Sequence, residues 1–91
     1  APAVLAFNAP VNGERQRRIS ACFGQPDRPA SEVVSDFIRD LGMPRSLSDV
    51  GVRRDQLDHI AEYTMLDFWA RTNPKTINTA EDILPVLEAA Y

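Results

Sequence analysis

The feature that most constrains the fold is the spacing of the apolar residues, which is helical along almost the whole chain. From Val33 to Leu41, apolar side chains recur three and four residues apart, so they line one face of a helix. The same spacing returns from Leu57 to Phe68 and from Ile83 to Tyr91. No segment alternates apolar and polar residues for long enough to indicate a strand. The sequence therefore predicts an all-α fold of about five helices without a sheet.

Start and stop signals flank two of these helices. Ser31 is predicted to cap the start of the first, because its hydroxyl can accept a free backbone N–H. Gly42 is predicted to end it in the left-handed conformation, and Pro44 prevents continuation. The tetrad Thr79-Ala80-Glu81-Asp82 predicts a capping box, with Asp in place of the usual Glu. Pro85 lies inside the last helix and is expected to bend it or shorten its regular part.

The N-terminal third carries weaker signals. Residues 12–23 predict a helix that ends at Gly24, with Ile19, Cys22 and Phe23 on its apolar side. The octet Ala1–Asn8 is apolar, has no cap, and is too short for a stable helix on its own. It is either a flexible arm or part of a longer helix that the chain cuts, and we favour the second. Segments 25–30, 43–52 and 71–78 are predicted connectors, with one helical turn at 47–50.

Length, charge and cysteine content exclude several classes of protein. Ninety-one residues form at most one domain, and the net charge of -3 argues against a nucleic-acid partner. No apolar run reaches the ~20 residues that a membrane span requires. The N-terminal octet lacks the basic leader of a signal peptide. Cys22 is the only cysteine, so no internal disulfide forms, and a reducing cytoplasmic location is expected.

Two groups of side chains are candidates for a metal-binding or catalytic site. Asp55, His59 and Glu62 share one helix surface and could hold a metal weakly, although such a face is more often simply solvated. Cys22 could be a nucleophile, but no base accompanies it, and its position on the apolar side predicts a buried thiol that packs as a small apolar group. The sequence contains no G-x-S-x-G elbow, P-loop or G-x-G-x-x-G turn. We therefore predict no catalytic, cofactor-binding or metal-binding residue in this segment.

The aromatic residues near the end of the second strong apolar stretch are the remaining candidates. Tyr63 lies on the helix flank, and Phe68 and Trp69 lie where the helix gives way to a loop. Aromatic side chains in such positions often line apolar ligand pockets. The alternative is that they belong to the core or to a contact between domains. Phe68 and Trp69 are the predicted substrate-pocket residues.

Three segments together resemble the C-terminal helical domain of the iron-activated (group III) alcohol dehydrogenases, which include the maleylacetate reductases. The opening APAVLAFN resembles the family's LPHVLxxN octet, with Ala3 in place of a histidine that is not a metal ligand. The ending TNPKTINTAEDILPVLEAAY resembles NPRPxTxEDIxxLLxAAx, with Lys75 and Thr76 replacing Arg and Pro. The middle LGMPRSLSDVGV resembles the connector LGxPxxLxDxGV. Its matching positions are Leu41, Gly42, Pro44, Leu47, Asp49, Gly51 and Val52.

The resemblance implies a two-domain enzyme of which residues 1–91 are the C-terminal part of the helical domain. An N-terminal α/β domain would bind NAD(P), and one Asp and three His of the helical domain would hold a divalent metal, iron or zinc. Those ligands and the dinucleotide site would all lie upstream of Ala1. The parent would transfer a hydride between the nicotinamide and an alcohol or carbonyl substrate whose oxygen the metal polarises.

The same resemblance assigns a supporting role to the segment itself. It would supply scaffold and, through Phe68 and Trp69, one edge of the substrate cleft, and it would be inactive alone. Its partners would be the remainder of the parent dehydrogenase and further copies in a homo-oligomer. The alternative is an independent small helical protein-interaction module.

A titration tests the absence of a cofactor or metal site in the 91 residues. With a single histidine and no glycine-rich turn, the chain is expected to bind neither NADH nor zinc or iron tightly. Isothermal calorimetry of the isolated chain with each ligand measures this. Submicromolar binding of any of them would contradict the prediction, and His59 would then be the first residue to replace.

Overall fold

Four α-helices joined by short 3₁₀ turns form the structure, and no strand is present. The computed structural model describes all residues 1–91. The helices are α1 (Pro2–Cys22), α2 (Ala30–Asp40), α3 (Leu57–Thr64) and α4 (Ala80–Ala90). The 3₁₀ turns are Ser48–Val50, Arg54–Gln56 and Phe68–Thr72. The predicted all-α class is therefore confirmed. None of the helices combines the length and the apolar character that crossing a membrane requires.

The helices pack in pairs and enclose little apolar volume. Helix α1 packs on α2 and α4, and α3 packs on α4. Only 8 of the 91 residues are buried. The buried apolar side chains are Ala30, Val33, Leu57, Ala61 and Ile83. The body measures 38 × 29 × 17 Å, and its radius of gyration of 13.9 Å exceeds the ~12 Å of a compact domain of this length. The chain is thus a flat layer whose apolar faces are largely open.

Helix α1 differs from its prediction in extent and in its buried face. The octet Ala1–Asn8 is not a flexible arm, because helix α1 begins at Pro2 and runs on to Cys22. The buried residues are the polar Asn8, Gln16 and Ser20, whereas Cys22 and Phe23, predicted on the apolar side, are exposed. The apolar pattern misled because polar side chains can be buried when each finds a hydrogen-bond partner. No buried side-chain nitrogen or oxygen lacks one.

A kink in α1 explains how its buried polar residues reach their partners. Asn12 has a non-helical backbone (φ -129°, ψ 26°), two residues after Pro10, which cannot donate a backbone hydrogen bond. Gln16 Nε2 donates to Leu5 O at 2.9 Å and to Asn12 Oδ1 at 2.8 Å. In a straight helix, residues 5 and 16 would lie about 16 Å apart along the axis. The Gln16 side chain therefore closes the inside of the bend.

Glycines end the first two helices as predicted. Gly24 and Gly42 have φ of 73° and 72°. After α2, Gly42 N donates to Arg39 O at 2.9 Å and Met43 N to Ile38 O at 3.3 Å, the paired bonds of a Schellman cap. The prediction for the start of α2 is wrong, because the helix begins at Ala30, one residue before Ser31, and has no side-chain cap. The carbonyl of Pro29 accepts the first helical bonds instead.

The predicted hydrogen bond from the N-cap backbone to Asp82 is present at the start of α4. Asp82 Oδ2 accepts the backbone N–H of Thr79 at 3.1 Å and of Asn78 at 2.9 Å. Pro85 does not end the helix, which continues to Ala90. Its ring is exposed, so the carbonyl that loses its partner lies where water can reach it.

Helix α3 is shorter than the apolar spacing predicts. It stops at Thr64, so Met65 and Phe68 do not belong to it. Thr64 Oγ1 donates to Ile60 O at 2.7 Å. The next three N–H groups, Met65 to Asp67, bond three residues back rather than four, which tightens the chain and ends the regular helix.

The connector between α2 and α3 docks on the end of α4. Leu47 N donates to Ala90 O at 2.8 Å and Ser48 N to Tyr91 O at 3.3 Å. Asp49 Oδ2 accepts the N–H of Arg45 at 3.2 Å, and Gly51 adopts φ of 86°. The predicted helical turn at 47–50 corresponds to the 3₁₀ turn Ser48–Val50. Conformation and capping, rather than chemistry, account for these residues of the connector.

The open apolar faces lead to a prediction about association. Eleven large apolar side chains are at least 41% exposed, among them Phe23, Phe37, Leu41 and Met43. Exposed apolar surface of this extent favours association, so the isolated 91-residue chain is expected to self-associate. Sedimentation velocity over a range of concentrations measures this. A strictly monomeric species at the highest concentration would contradict it.

The capping carboxylate of α4 leads to a prediction about acid stability. Hydrogen bonds from the N–H groups of Asn78 and Thr79 hold the pKa of Asp82 below its usual range. A carboxyl whose pKa is lower in the folded state stabilises the fold above its unfolded pKa, about 4, and this contribution is lost as the pH falls through the folded pKa. Asp82→Asn should therefore lower the unfolding midpoint at neutral pH and weaken its acid dependence.

A neighbouring carboxylate provides the matched control for this measurement. Glu81 is exposed, lies in the same first turn, and its carboxylate makes no hydrogen bond within the chain. Thermal unfolding of Asp82→Asn and Glu81→Gln between neutral pH and about pH 2 compares the two. Equal acid dependence in both variants would contradict the assigned role of Asp82.

Candidate functional site: the aromatic segment after helix α3

The candidate site is the short segment that leads from α3 to α4, where the two predicted pocket residues lie side by side. Phe68 and Trp69 begin the 3₁₀ turn Phe68–Thr72 and are 70% and 73% exposed. Their rings meet edge to face, with centroids 5.6 Å apart and an interplanar angle of 80°. Together they present a broad apolar surface to the outside of the chain. Such a surface can pack against an apolar ligand or against another protein segment.

Local hydrogen bonds, rather than packing, hold the two aromatic residues. Asp67 Oδ1 accepts the N–H of Trp69 at 3.0 Å, which caps the start of the turn. Thr72 Oγ1 donates to Trp69 O at 2.8 Å, and Ala70 N donates to Asp67 O at 3.2 Å. The turn is therefore defined by its backbone even though its large side chains are uncovered.

The far end of the segment is tied to α1 by two asparagines that the sequence reasoning did not single out. Asn8 Nδ2 donates to Asn73 Oδ1 at 2.9 Å, and Asn73 Nδ2 donates to Asn8 Oδ1 at 2.6 Å. Asn8 is only 6% exposed. The sequence does mark both residues, because each is the asparagine of one of the two terminal patterns that resemble the dehydrogenases. The octet ends in Asn8, and the last pattern begins at Asn73.

The aromatic pair does not line any of the three main cavities of the chain. The largest is an open cleft of about 720 Å³ between α1 and the segment before α2. Its lining is mostly polar and includes Gln16, Arg17 and Arg28. Phe68 and Trp69 can thus form at most one wall of a pocket, and their role as substrate-pocket residues remains a prediction.

The other two candidate groups are not brought into a site. His59 is exposed and meets Tyr63 edge to face, with ring centroids 4.7 Å apart. No group of three His, Cys, Asp or Glu side chains converges as metal ligands would. Cys22 was expected to be buried, and that expectation is wrong. It is exposed because it is the last residue of α1, which buries the polar Ser20 instead.

The chain matches one protein family along its entire length. The family model described as "Fe-containing alcohol dehydrogenase family, C-terminal" matches residues 1–91. The chain therefore belongs to the Fe-containing alcohol dehydrogenase family, which confirms the resemblance drawn from the three sequence patterns.

Its relatives are enzymes about four times as long. Lactaldehyde reductase of Escherichia coli (strain K12) is 31% identical over 99 residues, which cover 99% of this chain and 26% of that enzyme. The 4-hydroxybutyrate dehydrogenase of Cupriavidus necator is 33% identical over 85 residues, 88% of this chain and 22% of that enzyme. Maleylacetate reductase of Pseudomonas aeruginosa is 28% identical over 90 residues, 99% of this chain and 24% of that enzyme. The chain thus spans about a quarter of the curated relatives it matches. No solved structure matches it significantly.

The exposure of Trp69 can be measured directly, because it is the only tryptophan of the chain. A side chain that is 73% exposed is expected to emit at long wavelength and to be quenched efficiently by acrylamide. The measurement is a quenching titration of the folded chain, with the chain in denaturant as the reference for full access. Short-wavelength emission with weak quenching at low protein concentration would contradict the exposed position.

Proposed function

We propose that these 91 residues are the C-terminal quarter of an NAD(P)- and metal-dependent alcohol dehydrogenase or carbonyl reductase. The family match over residues 1–91 and the fourfold greater length of the relatives support the proposal. The open apolar faces also support it, because helices of a complete domain normally cover such surface. A match over the entire chain argues against the alternative of an independent helical interaction module.

Within that enzyme, the chain serves as scaffold and contributes one wall of the substrate cleft. The observation that carries this role is the pair Phe68 and Trp69, whose rings are uncovered. The side chains of Asp67 and Thr72 form hydrogen bonds with the backbone of Trp69 and so hold the turn. Two adjacent aromatic rings held in this way are preorganised for contact with a small organic molecule.

The reaction proposed for the parent is hydride transfer between a nicotinamide cofactor and an alcohol or carbonyl compound. The relatives are named for lactaldehyde, 4-hydroxybutyrate and maleylacetate, which are all small and rich in oxygen. A substrate of this class needs polar groups that fix its oxygen atoms and an apolar wall for its carbon atoms. Phe68 and Trp69 supply the apolar wall.

The residues of this chain do not fit the metal or the dinucleotide. No cluster of metal-ligating side chains converges, and the four glycines are dispersed rather than gathered in a phosphate-binding turn. In the proposed enzyme, the residues that bind both groups therefore come from outside residues 1–91, and the chain alone is inactive. The parent is further proposed to be a cytoplasmic homo-oligomer. The free thiol of Cys22 is compatible with a reducing compartment.

The test of this function starts from the gene. The reading frame upstream of Ala1 is expected to encode a glycine-rich dinucleotide turn and histidine-containing helices. The complete gene product should then oxidise NADH or NADPH in the presence of small aldehydes or keto acids, and should contain iron or zinc by elemental analysis. A frame that lacks these elements, or a purified product inactive with every cofactor and metal combination, would refute the proposal.

The aromatic wall leads to a prediction about substrate preference in the complete enzyme. Trp69→Ala removes the larger part of the wall, so kcat/KM should shift among a homologous series of alcohols. Misfit in an apolar pocket discriminates by about 1–3 kcal/mol per methylene, or roughly 10- to 200-fold. Metal content and the affinity for the cofactor should stay unchanged, because their ligands lie elsewhere.

A second exposed aromatic residue provides the control for this variant. Tyr63 is 61% exposed and lies on α3, outside the aromatic turn. Tyr63→Ala should leave the preference among alcohols as it is in the parent. An unchanged preference in Trp69→Ala would show that Trp69 is a packing residue, and loss of metal would show that the turn supports the metal site instead.

A further inference from the structure

The side chains of Asn8 and Asn73 form a closed pair across 65 residues of sequence. Each amide donates one hydrogen bond to the other and accepts one in return, at 2.9 and 2.6 Å. Asn8 also accepts the backbone N–H of Lys75 at 3.2 Å. Asn73 Nδ2 in addition donates to Lys75 O at 2.7 Å. The pair therefore binds both the backbone N–H and the backbone C=O of Lys75.

A cation–π contact reinforces the same junction. The ammonium group of Lys75 lies 4.4 Å from the centre of the Phe7 ring, next to Asn8 in α1. Both residues are half-buried, so water screens the contact only in part. Two successive residues of α1 thus bind the chain immediately after the aromatic turn.

No other hydrogen bond ties the segment 66–78 to a distant part of the chain. The remaining hydrogen bonds of this segment join it to itself or to the adjoining helices α3 and α4. The aromatic side chains cannot position the turn by packing, because both are at least 70% exposed. Since Asn73 directly follows the turn Phe68–Thr72, its bond to Asn8 sets where the turn lies relative to α1.

We propose that Asn8 and Asn73 are positioning residues that hold Phe68 and Trp69 in place and thereby set the substrate preference of the enzyme. The inference rests on the proposed function of the aromatic pair as a pocket wall. It assigns to the octet Ala1–Asn8 and to the Asn73-Pro74 step a joint role. Asn8 acts through the turn and does not itself touch the substrate.

The structural half of this proposal is tested by the fluorescence anisotropy of Trp69 in the complete enzyme, in which any tryptophan outside residues 1–91 is replaced by phenylalanine. Asn8→Leu keeps the size of the side chain but removes all three of its hydrogen bonds, so the anisotropy of Trp69 should fall towards its value in the unfolded chain. Asn8→Asp retains the two accepted bonds but places a carboxylate oxygen opposite Asn73 Oδ1, where the donated bond was, so the anisotropy should fall in this variant as well. It also carries the test if Asn8→Leu does not fold, as judged by circular dichroism.

Ser20 provides a matched control. It is 0% exposed, lies on the same helix beyond the bend, and donates a hydrogen bond to Arg28 O, which does not reach the aromatic turn. Ser20→Ala should lower the stability of the chain while leaving the anisotropy of Trp69 unchanged. Unchanged anisotropy in both Asn8 variants, or an equal decrease in Ser20→Ala, would overturn the inference.

The functional half is tested in the complete enzyme by a double-mutant cycle. A displacement of about 1 Å by a remote substitution can change rates by up to about 100-fold, so Asn8→Leu should change the kcat/KM ratio between short and long alcohols by about 10-fold. In Trp69→Ala, the additional Asn8→Leu change should have a smaller effect on that ratio, because only Phe68 remains of the two rings that Asn8 positions. Ser20→Ala should not change the ratio in either background.

The outcomes separate this inference from the function on which it rests. If Trp69→Ala shifts the preference and Asn8→Leu does not, the positioning role is wrong and the pocket wall stands. If Asn8→Leu lowers the anisotropy but Trp69→Ala leaves the preference unchanged, the pocket wall is wrong, and the specificity role of Asn8 falls with it. Equal effects of Asn8→Leu in the two backgrounds would also overturn the inference.

Discussion

The buried polar face of α1 is the constraint on which the rest of this structure depends. Its three buried residues each make a different connection. Asn8 binds the chain that leaves the aromatic turn, Gln16 closes the bend of the helix, and Ser20 donates to Arg28 O at 2.8 Å just before α2. A buried polar group without a partner costs about 1–3 kcal/mol, so each bond strongly favours one arrangement of the segment it holds. Because Asn73 and Arg28 lie on two segments outside α1, this helix orders the elements around it.

Several residues of the patterns that the chain shares with the dehydrogenases stabilise turns and helix ends in this structure. Gly42 and Gly51 adopt left-handed backbone, Asp49 stabilises the turn of the connector, and Asp82 caps α4. Asn8 and Asn73 join the first and last patterns. These residues of the family patterns therefore hold turns and long-range ties of the chain.

The apolar side chains divide the surface into covered and open parts. Val33 of α2 and Leu57 of α3 are buried, whereas Phe37 in α2 and Leu41 just after it remain 46% and 57% exposed. Since burial of apolar surface is the main favourable term in folding, a layer that leaves this much uncovered gains stability from whatever packs on it. Phe68 and Trp69 belong to the open part as well, at 70% and 73% exposed.

Local signals in the sequence determined the class of the fold and several helix ends. The spacing of apolar residues predicted helices, and Gly42 and the Thr79–Asp82 tetrad marked boundaries correctly, because a cap or a left-handed glycine depends on only a few neighbouring residues. Where neighbouring signals competed, the prediction failed. Pro29 rather than Ser31 occupies the cap position of α2, and the turn at Thr64 ends α3 before Phe68.

Only the tertiary structure decided which face of α1 is buried and what holds the aromatic turn. Apolar periodicity assigned Cys22 and Phe23 to the inside, but the buried residues are polar, since their partners Asn73 and Arg28 come from segments that sequence spacing does not relate to α1. A hydrogen bond across 65 residues leaves no periodic trace in the chain. The sequence by itself thus determined the elements and the family, and the long-range polar contacts decided how those elements are arranged.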